Sequence, residues 1–477
     1  LKNGLVVKEV YDKNQLSEEF SAPMSITVTI ARFQGKQRQE IIQEVQKQMQ
    51  EGALKAIKQV LSACLEAEVT AKLGREKGEQ RTASSHEREI DWKCGHCGCQ
   101  NANHFTRDGH YKRNLETGYG HLQALHIPMV ECQRCHHDVI CTFALLEKYG
   151  RFWIDFHQDA LFSSGLGQSL RAIKERWSGQ LGSPVGLRTI NEIINQVEPL
   201  VHHMQEQHFP EAPTVVQCDG IWVTIQNQKE AIQPDKTHRK RHQRSGKKVV
   251  ILVALGFWPD GRREILDWEI ASSEDHTQWE LLLNRLWVRE VTAEQGLKMI
   301  VRDGCGGLGE AVALVYGNSI LDQRCIFHKL KNVCDKVRGE LKGKEHKETR
   351  KTLMEQAALI YRAPHAGAAR QQLCDWSQKW RTQAPGAVAT LERDFEHTLV
   401  FYQLDAVTRE WIRPTSLLER TNREFRRKFR QAVTFGSVIG ARAAMYLQVQ
   451  RLHACWTKAN WWDVSHALSF SLGDLYP

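Results

Sequence analysis

Several features are absent from this chain of 477 residues. It contains no run of eighteen uninterrupted apolar residues, which is about the length that a membrane-spanning helix requires. Its N-terminus lacks a positively charged segment followed by an apolar stretch, so no secretory signal is expected. Internal repeats and low-complexity tracts are also missing. These absences argue against membrane, secreted and repetitive proteins.

The remaining composition fits a globular protein of several domains. Apolar residues make up 41 % of the chain, enough for sizeable cores. Lys and Arg number 65 against 56 Asp and Glu, a net charge of +9, which suits a polyanionic partner but is also common among enzymes. The first residue is Leu and Met24 is an alternative start, so residues 1–23 are interpreted as a possible upstream extension.

The N-terminal region, residues 1–90, is predicted to contain one long helix. Apolar residues recur at spacings of three to five over residues 36–75. This helix either packs on its own domain or serves as a dimerisation helix. Residues 75–90 are polar and indicate a linker.

Thirteen cysteines are present, and four of them form two pairs within residues 91–145. Cys94 and Cys97 are separated by 34 residues from Cys132 and Cys135, and two such pairs can supply four thiolates to a structural Zn²⁺. Reduced cysteines without a metal are the alternative. The neighbouring histidines could replace one ligand; they are His96 and His136.

Residues 146–212 are predicted to be helical and to bind DNA through a helix-turn-helix-like pair. One short helix covers Ser169 to Trp177, and glycines at 179 and 182 are expected to break it. Ser183-Pro184 then predicts the start of a second helix, which runs to Val197 and carries Arg188. Helical hairpins of this outline are also common in proteins that do not bind DNA.

From residue 213 onwards, the pattern changes to strands. Continuous and alternating apolar residues predict the order β-β-β-α-β-α-β over residues 213–335. The predicted strands lie at residues 215–225, 249–257, 263–271, 298–301 and 324–327. A helical insertion follows at residues 336–412. A last helix, at about 416–452, belongs to the region 413–477. The fold class is therefore an α/β core with an all-helical insertion.

Three carboxylates occupy notable positions in this core. Asp219 lies in the first strand and Asp303 ends the fourth, and a carboxylate at such a place is costly without a metal or another partner. Glu419 lies on the last helix, with Asn422, Arg423, Arg426 and Arg430 near its face. Each aspartate alone could be an Asp-Gly turn, and the helix could be a solvated basic one. Together, three carboxylates suit two Mg²⁺ or Mn²⁺ ions and phosphoryl transfer.

Two further motifs leave alternatives open. Cys325 and His328 could be half of a metal site, or a buried cysteine beside a hydrogen-bonded histidine. Trp376 and Trp380 lie one helical turn apart in the insertion and are candidates for stacking on an extruded base, with core packing as the alternative.

A basic segment lies between the first two strands. Residues 236–248 hold seven Lys or Arg and no acid, so they can neutralise phosphates or form a solvated loop. The candidate DNA contacts in this segment are Lys236, Arg239, Lys240, Arg241, Arg244, Lys247 and Lys248.

With these motifs in order, the chain resembles the mutator-type transposases of bacterial insertion sequences. The resemblance rests on Asp219-Gly220, Arg302-Asp303-Gly304, the segment from Gln323 through Cys325 and His328 to Val333, and Leu418 to Glu424. It covers roughly residues 65–450. The CxxC module and the long basic segment depart from the usual family pattern.

The resemblance implies an RNase H-like catalytic core and a DDE mechanism with Asp219, Asp303 and Glu419 as metal ligands. It places Cys325 and His328 in a family motif near the active site, and it makes the helix at 185–197 a candidate for terminal-repeat recognition. The implied protein is a bacterial cytoplasmic, nucleoid-associated DNA transposase that acts as a homodimer or larger assembly. The alternatives are a domesticated non-catalytic DNA-binding protein and a metal-dependent nuclease without strand transfer.

Overall fold

The structure is a computed structural model. It describes residues 38–79, 88–146, 148, 150–229, 243–405, 409, 417–432 and 435–475, with the side chains of these ranges except those of 226–229, 243–245, 417–419, 428, 430–432 and 470–475. The chain divides into two compact units. The first comprises residues up to 160 with 170–190 and 469 onwards, and the second comprises 161–169 and 191–468. The six regions predicted from the sequence are a finer division and stay a prediction.

The first unit combines one long helix with a small sheet. Helix α1 spans Arg38–Leu73, close to the predicted 36–75. The sheet has the antiparallel order β1-β4-β3-β2. Its strands are β1 (Lys93–Cys94), β2 (Phe105–Thr117), β3 (Gly120–Cys132) and β4 (His137–Ile140).

The two halves of α1 differ in burial. Leu61, Leu65, Val69 and Leu73 are buried in cores shared with the sheet. Apolar side chains in the N-terminal half, such as Met49, are exposed. The second half of α1 therefore packs on its own domain, which was one of the two alternatives. Dimerisation through the first half stays a prediction.

Four short helices follow in the chain: α2 (Ile154–Gly165), α3 (Leu170–Leu181), α4 (Leu187–Asn195) and α5 (Glu198–Glu206). The predicted helix pair is present, but two of its boundaries are wrong. Helix α3 continues through Gly179, and the chain turns at Gly182, whose φ of +64° suits glycine. Helix α4 begins at Leu187, so Ser183-Pro184 does not start it. Arg188 is exposed on α4.

The second unit is built on a five-stranded sheet of order β7-β6-β5-β8-β9. The pairs β5–β6 and β6–β7 are antiparallel, whereas β5–β8 and β8–β9 are parallel. The strands are β5 (Val215–Lys229), β6 (Gln243–Phe257), β7 (Arg263–Ala271), β8 (Met299–Arg302) and β9 (Leu321–Arg324). The predicted order of strands and helices is confirmed.

Two helices, α6 (His276–Val288) and α7 (Gly306–Tyr316), cover one face of this sheet. Their apolar side chains, including Trp279, Leu283 and Leu308, share a core with Val216 and Leu252 of the central strands. The alternate residues of β6, such as Ile251 and Val253, are buried as well, so this strand is covered on both faces, which explains its continuous apolar run.

The predicted fifth strand is displaced in the structure. Strand β9 ends at Arg324, and Ile326 begins helix α8 (Ile326–Glu340), so the prediction of a strand over 324–327 is wrong. The apolar signal of Ile326 and Phe327 belongs to the helix. The strand instead buries Gln323, whose side chain bonds to the backbone of Thr398 and Phe401.

The region predicted to be a helical insertion contains α9 (Lys347–Ile360), α10 (Ala366–Trp380) and α11 (Pro385–Glu392). Trp376 and Trp380 of α10 are buried, and their indole N–H groups donate to Leu353 O and Gln356 Oε1. Core packing, the second alternative, accounts for both rings. The base-stacking interpretation is not supported, because buried rings expose no face to a base.

The single last helix predicted over 416–452 is in fact two helices, α12 (Leu417–Ala432) and α13 (Val438–Thr457). Ser437 separates them by capping α13, since its hydroxyl accepts from the backbone N–H of Gly440 at 3.0 Å. Helix α14 (Trp461–Leu475) follows. No helix in the described ranges has the length and apolar character to cross a bilayer.

A buried ion-pair network stabilises the edge of the large sheet. Asp267 of β7 is fully buried and pairs with Arg285 at 3.0 Å and with Arg289 at 3.5 Å. Gln205 donates a further hydrogen bond to the same carboxylate at 2.9 Å. The carboxylate therefore compensates two cations inside the protein.

We expect Asp267→Asn to destabilise the second unit by about 3–5 kcal/mol, because removing one member of a buried pair leaves a charge uncompensated. Chemical denaturation would measure the loss. Glu269→Gln is the matched control, since Glu269 pairs with the same Arg285 at 3.0 Å but is more exposed, and we expect a loss of at most about 1 kcal/mol. Equal losses in the two variants would contradict the assigned role of Asp267.

Candidate active site and metal centre

The two predicted aspartates lie on neighbouring strands. Strands β5 and β8 pair in parallel, with Val215 opposite Met299 and Gln217 opposite Val301. Continuing this register by two residues places Asp219 beside Asp303, which directly follows β8. Neighbouring strands are about 4.8 Å apart, so the two carboxylates belong to one site.

Asp219 is 5 % exposed and has two polar neighbours from other elements. The side-chain amide of Asn422 donates to its Oδ2 at 2.5 Å, and Nε2 of His328 lies 3.8 Å from its Oδ1. Burial raises the pKa of the Asp219 carboxyl; His328 lowers it and Asp303 raises it again. An ionised Asp219 is thus costly without further positive charge, as expected for a cation ligand.

A third carboxylate, Glu274, lies near this pair. Glu274 lies between β7 and α6. The thiol of Cys305 donates to the backbone oxygen of Glu274 at 3.3 Å. Burial raises the pKa of Glu274, and Asp303 and Asp219 raise it further. The Glu274 carboxylate packs directly over Gly220, where a Cβ would overlap it. Residue 220 must therefore be a glycine in this arrangement, because any side chain there would overlap the Glu274 carboxylate.

Helix α12 brings Asn422 to Asp219. Asn422 is fully buried, and its Oδ1 has no hydrogen-bond partner among the described residues. It is inaccessible to DNA phosphates in this conformation, so the prediction of a direct DNA contact is wrong for Asn422. Arg423 is exposed and Arg426 half-buried on the same helix. The side chains of Glu419 and Arg430 lie outside the described residues.

The Cys325–His328 motif lies beside the aspartates. Cys325 precedes α8, and burial raises the pKa of its thiol to about 11. His328, one turn into the helix, faces Asp219, and its Nδ1 is buried without a partner in the described part of the chain. The motif predicted to lie near the active site is thus next to Asp219.

The C-terminal part of the basic segment belongs to the large sheet. Strand β6 begins at Gln243, so residues 243–248 lie in a strand, whereas residues 236–242 lie outside the described residues. Lys247 and Lys248 are exposed on β6. The other predicted contacts lie outside the described side chains: Lys236, Arg239, Lys240, Arg241 and Arg244.

Sequence reasoning missed two residues near the aspartates, Glu274 and Trp222. Glu274 lies in the segment Ser-Ser-Glu-Asp, which reads as the polar start of α6, where Asp275 is the N-cap. Trp222 reads as one more apolar residue of a strand, yet it is 54 % exposed. The Gly220 between Asp219 and Trp222 was the available signal, since a glycine inside a strand indicates a close approach.

The four predicted zinc ligands converge in the first unit. Their sulfur atoms all lie within 4.8 Å of one another. Cys94 Sγ is 3.4 Å from Cys135 Sγ, and Cys97 Sγ is 3.7 Å from Cys132 Sγ. Two tight turns hold the pairs, one closed by Gly98 N–H on Cys94 O and the other by His136 N–H on Cys132 O.

These sulfur positions fit a tetrahedral metal. Zn–S bonds of about 2.3 Å imply sulfur separations of about 3.8 Å in a tetrahedron. A hydrogen bond from the backbone of Cys97 lowers the pKa of Cys94 to about 6, whereas burial raises that of Cys135 to about 12. A divalent cation would let all four bind as thiolates. The cluster is therefore a candidate structural metal site.

The two histidines that were predicted as substitute ligands, His96 and His136, differ in their contacts. The rings of His96 and His137 stack at 4.0 Å, and with Cys135 these two residues form a second group whose ligand atoms lie within 4.8 Å. His136 instead faces Glu131 at 2.8 Å and is outside both groups. Of the two predicted substitutes, only His96 lies near the sulfur atoms.

Comparison with known proteins places this chain among transposases. The family described as "Transposase, Mutator family" matches residues 29–459. A transposase for insertion sequence element IS905 from Lactococcus lactis subsp. lactis (strain IL1403) is 28 % identical over 337 residues, 69 % of this chain and 75 % of that protein. A transposase for ISRM5 from Rhizobium meliloti (strain 1021) is 23 % identical over 441 residues, 92 % of this chain and 96 % of the relative.

Among solved structures, the Drosophila P element transposase strand transfer complex matches with a TM-score of 0.33 and 11 % identity, covering 64 % of this chain and 93 % of that one. The match to the family, over residues 29–459, is by itself sufficient to assign the chain, because it covers most of the sequence. The chain belongs to the Mutator family of transposases.

Proposed function

We propose that this protein is a DNA transposase that binds terminal inverted repeats, cleaves DNA strands with divalent metal ions and joins the new ends to target DNA. Family membership and relatives named as transposases of insertion sequences support the general activity. The sheet order β7-β6-β5-β8-β9, with three antiparallel strands followed by two parallel ones, supports an RNase H-like core.

One observation carries the catalytic part of this proposal. Asp219 of β5 lies beside Asp303, which directly follows the neighbouring strand β8, and the side-chain amide of Asn422 of α12 donates to Asp219. Glu419 precedes Asn422 by three residues on the same helix, so the two residues share a helix face. This placement supports Asp219, Asp303 and Glu419 as one set of carboxylates.

These three residues would hold the metal ions, because carboxylate oxygens suit Mg²⁺ and Mn²⁺. When bound, the ions would activate the attacking water or 3′-hydroxyl and stabilise the leaving oxygen. Asn422 acts as a positioning residue, since its amide fixes one oxygen of Asp219 and leaves the other for a cation. Nε2 of His328 lies 3.8 Å from the other oxygen of the same carboxylate.

The remaining parts of the proposal concern DNA and assembly. Lys247 and Lys248 on β6, and Arg188 on α4, are exposed cations suited to phosphates. The four-cysteine cluster would hold a structural Zn²⁺. Two element ends must meet during transposition, so the active form would be a homodimer or a larger assembly.

The full-length protein should be incubated with duplexes carrying the terminal repeats of its own element, a target plasmid and Mg²⁺ or Mn²⁺. We expect nicked ends with 3′-hydroxyl groups and products in which these ends are joined to the plasmid. Cleavage without joined products would favour a nuclease. Binding without either product would favour a non-catalytic DNA-binding protein, and either result would overturn the proposal.

A further inference from the structure

Trp222 is an exposed aromatic residue on the strand that carries Asp219. Its neighbours Ile221 and Val223 are buried, whereas 54 % of Trp222 is exposed. Trp222 lies three positions after Asp219 on β5, so their Cα atoms are about 10 Å apart and their side chains point to opposite faces of the strand. A large apolar ring is therefore presented to solvent three residues beyond Asp219, on the face where Glu274 packs over Gly220.

The indole ring of Trp222 contacts the side chain of Glu274. Its N–H forms a hydrogen bond with the Glu274 carboxylate. Glu274 in turn packs over Gly220, and the backbone oxygen of Glu274 accepts a hydrogen bond from the Cys305 thiol. This contact restrains the ring, which reduces the side-chain freedom that would be lost when a ligand binds.

Positive charge lies on the same face of the hairpin. Trp222 pairs with Val250 and Thr224 pairs with Lys248, so Trp222 and Lys248 point to the same side of the sheet. Lys248 is exposed, whereas Lys247, the next residue on the strand, points to the opposite side. An aromatic face beside a cation matches a nucleic acid strand, in which a flat base alternates with a phosphate.

We propose, resting on the transposase function proposed above, that Trp222 is a stacking platform for one unpaired DNA base near the scissile phosphate. The Cα atoms of Trp222 and Asp219 are about 10 Å apart and one strand of B-DNA advances about 3.4 Å per nucleotide, so we expect this base a few nucleotides from the cut. Lys248 neutralises the adjoining phosphate, and Glu274 sets the angle of the ring.

The test compares two DNA probes in Ca²⁺. Both are terminal-repeat duplexes that end at the cut with a flank of three unpaired nucleotides. The flank is thymidine in one probe and abasic in the other. We expect Trp222→Ala to weaken binding to the thymidine probe about tenfold, since stacking on one base contributes about 1–3 kcal/mol, and to weaken binding to the abasic probe less than twofold.

Two further variants separate stacking from folding. Trp222→Phe keeps an aromatic face and should retain most of the preference for the thymidine probe. Trp287→Ala is the matched control, because Trp287 is 52 % exposed on α6 and should affect neither probe. Equal losses on both probes, or no loss on either, would overturn the proposal. A change in oligomeric state with equal losses would show that another protein chain covers Trp222.

The outcome does not depend on strand cleavage, because only binding is measured. If Asp303→Asn cut DNA as fast as the wild type, the catalytic assignment would fail, while the difference between the two probes would still decide the role of Trp222.

Discussion

The Asp303→Asn variant is expected to bind terminal-repeat DNA at least as tightly as the wild type and to cut it more than about a hundredfold more slowly in Mg²⁺. Replacing residues that only support a metal ligand typically costs 10–100-fold, so loss of a ligand itself should cost more. Binding should persist because the change removes a negative charge near the phosphates. Asp219→Asn should behave in the same way.

Asp335→Asn is the control for these variants. Asp335 lies on α8 with 61 % of its side chain exposed and pairs with Arg338. It should cut DNA at the wild-type rate. Cleavage is measured on labelled terminal-repeat duplexes over a range of Mg²⁺ concentrations. Wild-type cleavage by Asp303→Asn would refute the assignment of the carboxylates.

The second large effect is expected at the four-cysteine cluster. Cys132→Ser should lower the zinc content from about one ion per chain to almost none and should unfold the sheet of β1 to β4. Structural zinc binding contributes about 10–16 kcal/mol in small zinc domains, which equals or exceeds the total stability of an ordinary domain. Metal analysis and limited proteolysis of the first unit would measure the two effects.

Cys99→Ser provides the comparison for that experiment. Cys99 follows Cys97 by two residues and is half-buried, but it is not one of the four clustered sulfurs. This variant should keep its zinc and its resistance to protease. If Cys132→Ser also kept both, the cluster would not be a structural metal site.

Local sequence pattern was sufficient for most of the large sheet. Buried strands such as β6 consist of continuous apolar residues, so their positions and order could be predicted. Strand β9 could not, because its buried residue is Gln323, a polar side chain satisfied by the distant backbone of Thr398 and Phe401. Polarity alone misleads wherever hydrogen bonds from another element make burial of a polar group favourable.

The same limit applies to the candidate site. Asp219 and Asp303 could be predicted as candidate site residues, because Asp219 interrupts an apolar strand and Asp303 follows the end of one. Glu274 could not, since only the packing of the loop before α6 against Gly220 brings it near them. Asn422 was assigned to the wrong surface, because helix periodicity groups residues on a face without telling which face meets the sheet.

The bond between Asn422 and Asp219 joins residues 203 positions apart. Because ribosomes make proteins from the N-terminus, a growing chain contains both aspartates and the whole large sheet before α12 has been synthesised. Nascent and prematurely terminated chains therefore lack one side of the carboxylate site. Synthesis through α12 is thus a timing requirement, and only a chain extended past Asn422 can assemble the centre that we propose cuts DNA.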